Sequence, residues 1–123
     1  MNESEVLEAI NLHAANGISS FTIFLSFTFA YITAAYLAGE KLTTLQVSII
    51  SFIYFSAAFG WAASTLTHTH SFGTLAAQYP EYMPSPLWKI SFSFLSAVIL
   101  VPSTFASLYF MYDVRQRKNP NEG

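Results

Sequence analysis

Three long apolar stretches alternate with short polar segments along this chain, and the pattern predicts three membrane-spanning helices. The first extends from about residue 18 to 38, the second from 44 to 67 and the third from 87 to 112. Each reaches the roughly 20 residues that a helix needs to cross a hydrocarbon layer about 30 Å thick. The sequence therefore predicts an all-α membrane protein with three transmembrane helices.

The polar segments between these spans predict how the helices are connected. The turn Gly39-Glu40-Lys41 is so short that the first two spans must form an antiparallel hairpin. Residues 71–86 include three prolines and predict one larger loop. Residues 113–123 are polar, and we expect a frayed tail there. We interpret residues 1–123 as a single membrane domain.

Before the first span, residues 3–15 show helical spacing of apolar side chains and predict a separate amphipathic helix at the membrane interface. Asn2 and Glu5 are spaced as a capping box, and Asn16-Gly17 is a plausible helix stop. Because this segment is acidic, we expect it to pack on its own membrane domain rather than on anionic lipid. The side chains on its apolar face are Val6, Leu7, Ile10 and Ala14.

Composition and charge support lipid as the main solvent of the protein. Hydrophobic residues make up 53% of the chain and charged residues only 10%, well below the roughly 25% that is typical of soluble domains. The few basic residues form no patch for nucleic acid. The absence of cysteine excludes disulfides and thiolate metal sites.

The distribution of basic residues predicts the orientation of the spans. Four basic residues are expected at one end of the bundle, against Lys89 alone at the other, and cytoplasmic ends carry the excess. We therefore expect the N-terminus outside and the C-terminus in the cytoplasm, and a bacterial inner membrane fits this short chain best. The four are Lys41, Arg115, Arg117 and Lys118.

Each predicted span carries a stripe of small or hydroxyl side chains spaced three or four residues apart. Small residues let helices approach closely in lipid, so we expect these stripes to face one another, with most phenylalanines turned to lipid or filling gaps. Alternatively, the hydroxyls only bond the carbonyls four residues before them. The stripes are Ser19, Thr22, Ser26, Ala30 and Thr33; Ser56, Gly60, Ala63 and Thr67; and Ser93, Ser96, Ser103 and Ser107, with Leu100 filling the gap in the third.

Pro102 lies in the middle of the third span and predicts a kink, because proline has no amide proton to donate to Val98. The hydroxyl of Ser103 or of a neighbouring helix is expected to satisfy the Val98 carbonyl. The kink is either a static bend or a moving hinge.

The three histidines are the best candidates for chemistry, since His13, His68 and His70 all lie at the predicted outer end of the bundle. Imidazole binds metals and haem iron, and Glu81 could add a carboxylate ligand. In a helix, however, His68 and His70 would point about 200° apart. The alternative is that all three are polar anchors at the membrane interface.

Other functional classes are disfavoured by what the spans lack. The middle of each span has no charged residue or histidine, which argues against a coupled transporter. The sequence has no phosphate loop and no hydrolase motif. We therefore expect a non-enzymatic protein that acts by helix association, as a homo-oligomer or an accessory subunit of a membrane complex. The alternatives are a redox, metal-binding or haem-binding subunit, and an oligomeric channel lined by serine and threonine.

Overall fold

The computed structural model describes residues 2–83 and 91–118, which form three long α-helices and one short 3₁₀ turn. The helices are α1, Glu3–Ala38; α2, Thr44–Gln78; and α3, Phe92–Lys118, with the 3₁₀ turn at Pro80–Tyr82. All three helices are long and apolar enough to cross a membrane. This confirms the predicted class. The start of the third span, including Lys89, and the end of the tail lie outside the described residues.

Helix α1 differs from the prediction at its beginning. The capping box is present, because the Glu5 amide donates to Asn2 at 2.9 Å and the Asn2 amide donates to Glu5 at 3.1 Å. The helix then continues through Asn16 and Gly17, so the prediction of a separate interfacial helix over residues 3–15 is wrong. Glycine permits a left-handed stop but does not require one, and Gly17 keeps a negative φ.

Helices α2 and α3 are also longer at their C-terminal ends than predicted. Residues 71–78, which we expected in the loop, belong to α2. The helix ends at Gln78 because the next residue, Tyr79, precedes Pro80, and a residue before proline disfavours helical backbone. Residues 113–118, expected in the tail, belong to α3. Asp113 and Arg117 form an exposed ion pair at 2.9 Å on its last turns.

The core of the bundle lies mainly between α1 and α2. Tyr31 on α1 and Tyr54 on α2 are buried and stack with ring centroids 4.2 Å apart at an angle of 12°. Phe24 is fully buried on the same face of α1. Leu100 and Met111 of α3 complete this cluster. In lipid, such packing rather than exclusion of water holds helices together.

Three hydroxyl pairs connect α1 to α2. Thr28 and the Tyr54 hydroxyl are 3.0 Å apart, and the Tyr31 hydroxyl and Ser51 are 2.8 Å apart. Farther along the interface, Ser20 and Ser64 are also 2.8 Å apart. Interhelical hydrogen bonds of this kind contribute about 0.6 kcal/mol each in membranes.

Arg115 of α3 fixes the turn between α1 and α2. Its guanidinium donates to the carbonyl of Gly39 at 2.9 Å and to that of Leu42 at 2.6 Å. Since α1 has no basic residue in its last turn, Arg115 supplies from another helix the positive charge and donors that helix carbonyl ends favour. The side chain therefore ties all three helices together at this end.

The prediction that the three small-residue stripes face one another is wrong for α1 and α2. Every stripe residue of these two helices is exposed, including Ser26, Ala30, Ser56, Gly60 and Ala63. On α3 the stripe does face the bundle: Ser107 and Leu100 are buried, and Ser93, Ser96 and Ser103 are partly buried. The buried residues of α1 and α2 lie about half a helical turn away from their stripes.

Helix α3 continues through Pro102, whose ring is exposed. The expected role of Ser103 is wrong, because its hydroxyl donates to the carbonyl of Ile99 rather than to that of Val98. The carbonyl released by Pro102 is thus not capped by the adjacent serine. The proline faces away from the packed side of the helix.

Candidate functional site

The histidine end of the bundle, opposite the Arg115 turn, brings two of the three candidate residues together. His13 of α1 and His68 of α2 are partly buried, and their Nδ1 atoms are 3.1 Å apart. The ring centroids are 5.3 Å apart with an angle of 40° between the planes. The spacing along two continuous helices, rather than any local motif, places these imidazoles in contact.

The contact between two Nδ1 atoms links the tautomers of the two rings. A hydrogen bond there requires one imidazole with a proton on Nδ1 and another with a free Nδ1 lone pair. In the neutral pair, the first ring then has a lone pair on Nε2 and the second has an Nε2 proton. The pair can therefore offer one donor and one acceptor to other groups, and which ring offers which depends on the tautomer.

His70 does not join this pair. Because α2 continues to Gln78, His68 and His70 point about 200° apart on one helix, and His70 is exposed. Among residues 2–83 and 91–118, no group of three or more His, Asp or Glu side chains is placed to hold a metal ion. Of the expected set His13, His68 and His70, the structure therefore brings only the first two together. Glu81 does not join them as a third ligand.

Gly17 allows the two helices to approach closely beside the histidines. A Cβ atom at this position would lie 3.5 Å from the Cβ of His68 and 3.5 Å from the Cγ2 of Thr69. These are ordinary contact distances, so alanine would fit but a larger side chain would push α2 away. Gly17 therefore allows α1 and α2 to pack closely, and it does not end a helix.

An apolar cleft of about 470 Å³ opens next to His13, between the three helices. Its size lies within the range of about 300–1,000 Å³ that is typical of small-molecule sites. Each helix contributes one phenylalanine to the wall, and most of the remaining lining surface is also apolar. The lining residues are His13, Ala14, Gly17, Ile18, Phe21, Thr65, Thr69, Phe72, Phe92, Leu95, Ser96 and Ile99.

The threonine hydroxyls in the cleft wall already donate to the backbone. Thr65 donates to the carbonyl of Trp61 at 2.9 Å, and Thr69 donates to that of Thr65 at 2.9 Å. Their protons are therefore committed to helix α2. The remaining polar side chains of the wall are Ser96 and His13, whose ring has one nitrogen beyond its bond to His68.

The sequence indicates the histidines but not the cleft. Ser96 was predicted as a helix-packing residue and instead lines the cleft. Phe21, Phe72 and Phe92 come from three separate helices, so no local spacing relates them. Ser20 and Thr28, at helical spacing with Phe24, were the available signal for the inner face of α1.

Comparisons with protein-family models, curated proteins and solved structures gave no match to this chain.

Proposed function

We propose that this protein acts by helix association in the membrane, as a homo-oligomer or as an accessory subunit of a larger complex. The outward direction of the stripes on α1 and α2 supports this proposal. Both stripes lie opposite the faces that build the bundle, so its own helices leave them uncovered. At Gly60, a Cβ atom would meet no other atom within 4 Å.

The direction of the stripes also limits the form of such an assembly. The α1 stripe faces away from α2, and the α2 stripe faces away from α1, so one partner helix cannot cover both. Some stripe hydroxyls are internally bonded: Thr22 donates to Ile18, Ser26 to Thr22 and Thr67 to Ala63. Close approach at small side chains, rather than new hydroxyl bonds, would therefore drive association.

Subunit counting in native lipid particles tests the association. Gly60→Leu fills the α2 stripe, and we expect it to shift the protein from assemblies to single copies without a partner. Gly73→Leu is the matched control, since Gly73 also lies on α2 in open space but outside the stripe. A wild type that is monomeric and without a partner, or equal effects of both variants, would contradict the proposal. Ion flux through reconstituted vesicles would instead favour the channel alternative.

A second candidate, a metal-binding or haem-binding subunit, is supported by the contact of His13 with His68. Two nitrogens 3.1 Å apart can both ligate one ion at about 2.0–2.1 Å, provided that water or a partner supplies the other ligands. Haem iron has its two free positions on opposite faces of the ring, so it would take only one of the two imidazoles. Elemental analysis and an absorption spectrum of protein purified from its native membrane test this. This candidate function requires a metal content that His13→Ala and His68→Ala each abolish, or a haem absorption band that one of these variants abolishes. Wild-type protein that is colourless and metal-free rules it out.

We also infer that the N-terminus faces outward and the C-terminus faces the cytoplasm of a bacterial inner membrane. The contact of Arg115 with the Gly39 and Leu42 carbonyls supports one shared basic end, since Lys41 lies in the same turn. The positive-inside rule then assigns that end to the cytoplasm. A reporter fused after Gly123 that is active only on the external face would contradict this orientation.

A further inference from the structure

We propose that the cleft beside His13 binds a lipid-soluble molecule of the quinone class, with a ring oxygen hydrogen-bonded to that histidine. This inference rests on the cleft and the histidine pair, and it is independent of the outward stripes. It concerns binding alone.

The walls of the cleft favour a planar ring with an apolar tail. Phe21, Phe72 and Phe92 come from α1, α2 and α3, so all three helices contribute aromatic surface to the wall. Phe72 and Phe92 meet edge to face, with centroids 6.0 Å apart. Aromatic side chains favour both stacked and edge contacts with a flat ring. Toward the middle of the bundle, Ile18, Leu95 and Ile99 provide aliphatic surface for a tail.

The histidine pair selects the polar group of this ligand. Its Nδ1–Nδ1 bond leaves one Nε2 proton and one Nε2 lone pair, and exchange of the tautomers can place either one on His13. A carbonyl oxygen on the ligand ring accepts a hydrogen bond from the Nε2 proton, and a hydroxyl on the ligand ring donates a hydrogen bond to the Nε2 lone pair. A quinone carries the first group and its reduced form carries the second, so the same pair can bind both.

A plain acyl chain of a membrane lipid explains less of this site. A chain would fill aliphatic space, but it has no atom to use the free hydrogen-bonding capacity of His13. It would contact the aromatic side chains only through dispersion, without the stacking that a flat ring gains. The two ligands therefore differ in their dependence on the imidazole, which an experiment can measure.

The test is saturable binding of a benzoquinone with a short isoprenoid tail to the full chain in nanodiscs of saturated phosphatidylcholine, with chelator present. The amount of quinone bound beyond that taken up by protein-free nanodiscs, measured against quinone concentration, gives the affinity. We expect one site per chain. We expect His13→Phe to weaken binding about tenfold, the usual effect of losing one hydrogen bond. His70→Phe is the control, because His70 is exposed and does not line the cleft.

A second pair of variants tests the space itself. Ala14→Phe should fill the cleft and abolish saturable binding, whereas Ala15→Phe should not, because Ala15 is exposed and outside the lining. Circular dichroism verifies that each variant is folded. If Ala14→Phe does not fold, Ser96→Phe fills the same space from α3.

Three results would overturn the proposal, and the first two concern the ligand. One is the absence of saturable quinone binding to the wild type. The other is equal binding of a hydrocarbon with the same tail but no ring oxygen, together with no effect of His13→Phe, since that pattern identifies an acyl-chain crevice. Equal losses in the variants and in their controls would likewise contradict a site at His13.

Discussion

The inner and outer faces of α1 and α2 have similar compositions but opposite uses. Both faces combine hydroxyl, small and aromatic side chains. On the inner faces three hydroxyl pairs bond across helices, as Thr28 does with Tyr54, although the buried Thr65 bonds its own helix. On the outer faces Thr22 and Ser26 bond only their own helix. A hydroxyl in a membrane helix therefore does not by itself mark an interface, and its partner across the bundle decides its role.

Removing the aromatic stack should have the largest effect on the inner face. We expect Tyr54→Ala to lower the free energy of unfolding by about 3 kcal/mol, because it deletes a buried ring, its stack on Tyr31 and its bond to Thr28. Equilibrium unfolding in lipid bicelles measures this. Tyr36→Ala is the control: that side chain is 73% exposed, so its removal should change stability by less than about 0.5 kcal/mol. Equal losses would contradict the assignment of the inner face.

Arg115→Met should have the next largest effect, a loss of about 2 kcal/mol. It removes the hydrogen bonds of a charged guanidinium to two backbone carbonyls at the turn. A hydrogen bond to a charged group contributes about 1.5–3 kcal/mol to stability. The same unfolding assay applies. Arg117→Met is matched to it, since Arg117 is 81% exposed and its ion pair within the described part of the chain is with Asp113 of the same helix, and we expect almost no change. If the two variants behave alike, Arg115 does not fix the turn.

The smallest effect is expected at a single hydroxyl pair. Ser20→Ala should cost about 0.6 kcal/mol, because Ser20 bonds Ser64 across the interface at 2.8 Å. Its neighbour Ser19 is exposed on the outer stripe, and Ser19→Ala should leave stability unchanged. The difference between these adjacent serines is measured in a double-mutant cycle with Ser64→Ala, which should show coupling for Ser20 only.

These contrasts also show why the sequence predicted the helices better than their packing. Length and hydropathy determine a span, so the end of α1 at Ala38 and the start of α2 at Thr44 were predicted correctly. The inner face was not, because lipid is as apolar as a protein core and the usual contrast between polar and apolar faces is missing. The stripe through Ser26 and the face through Phe24 have the same helical period.

The candidate site was predictable only in part for a related reason. The histidines are evident as rare polar residues, and their shared end follows from the antiparallel hairpin. The pairing of His13 with His68, however, depends on how far α1 and α2 continue beyond the predicted spans. On α1, the continuation depends on Gly17. The sequence predicts a helix stop there, whereas in the structure Gly17 is a point of close contact between α1 and α2.

Photo-crosslinking from the outer face tests the association most directly. The chain has no cysteine, so Gly60→Cys gives one site for a benzophenone label on the α2 stripe, and Gly73→Cys gives one off the stripe. In native membranes, we expect label at position 60 to give a discrete protein adduct, either a second copy or one partner, and label at position 73 to give little. Adducts of equal yield from both positions, or none from position 60, would contradict association through this face.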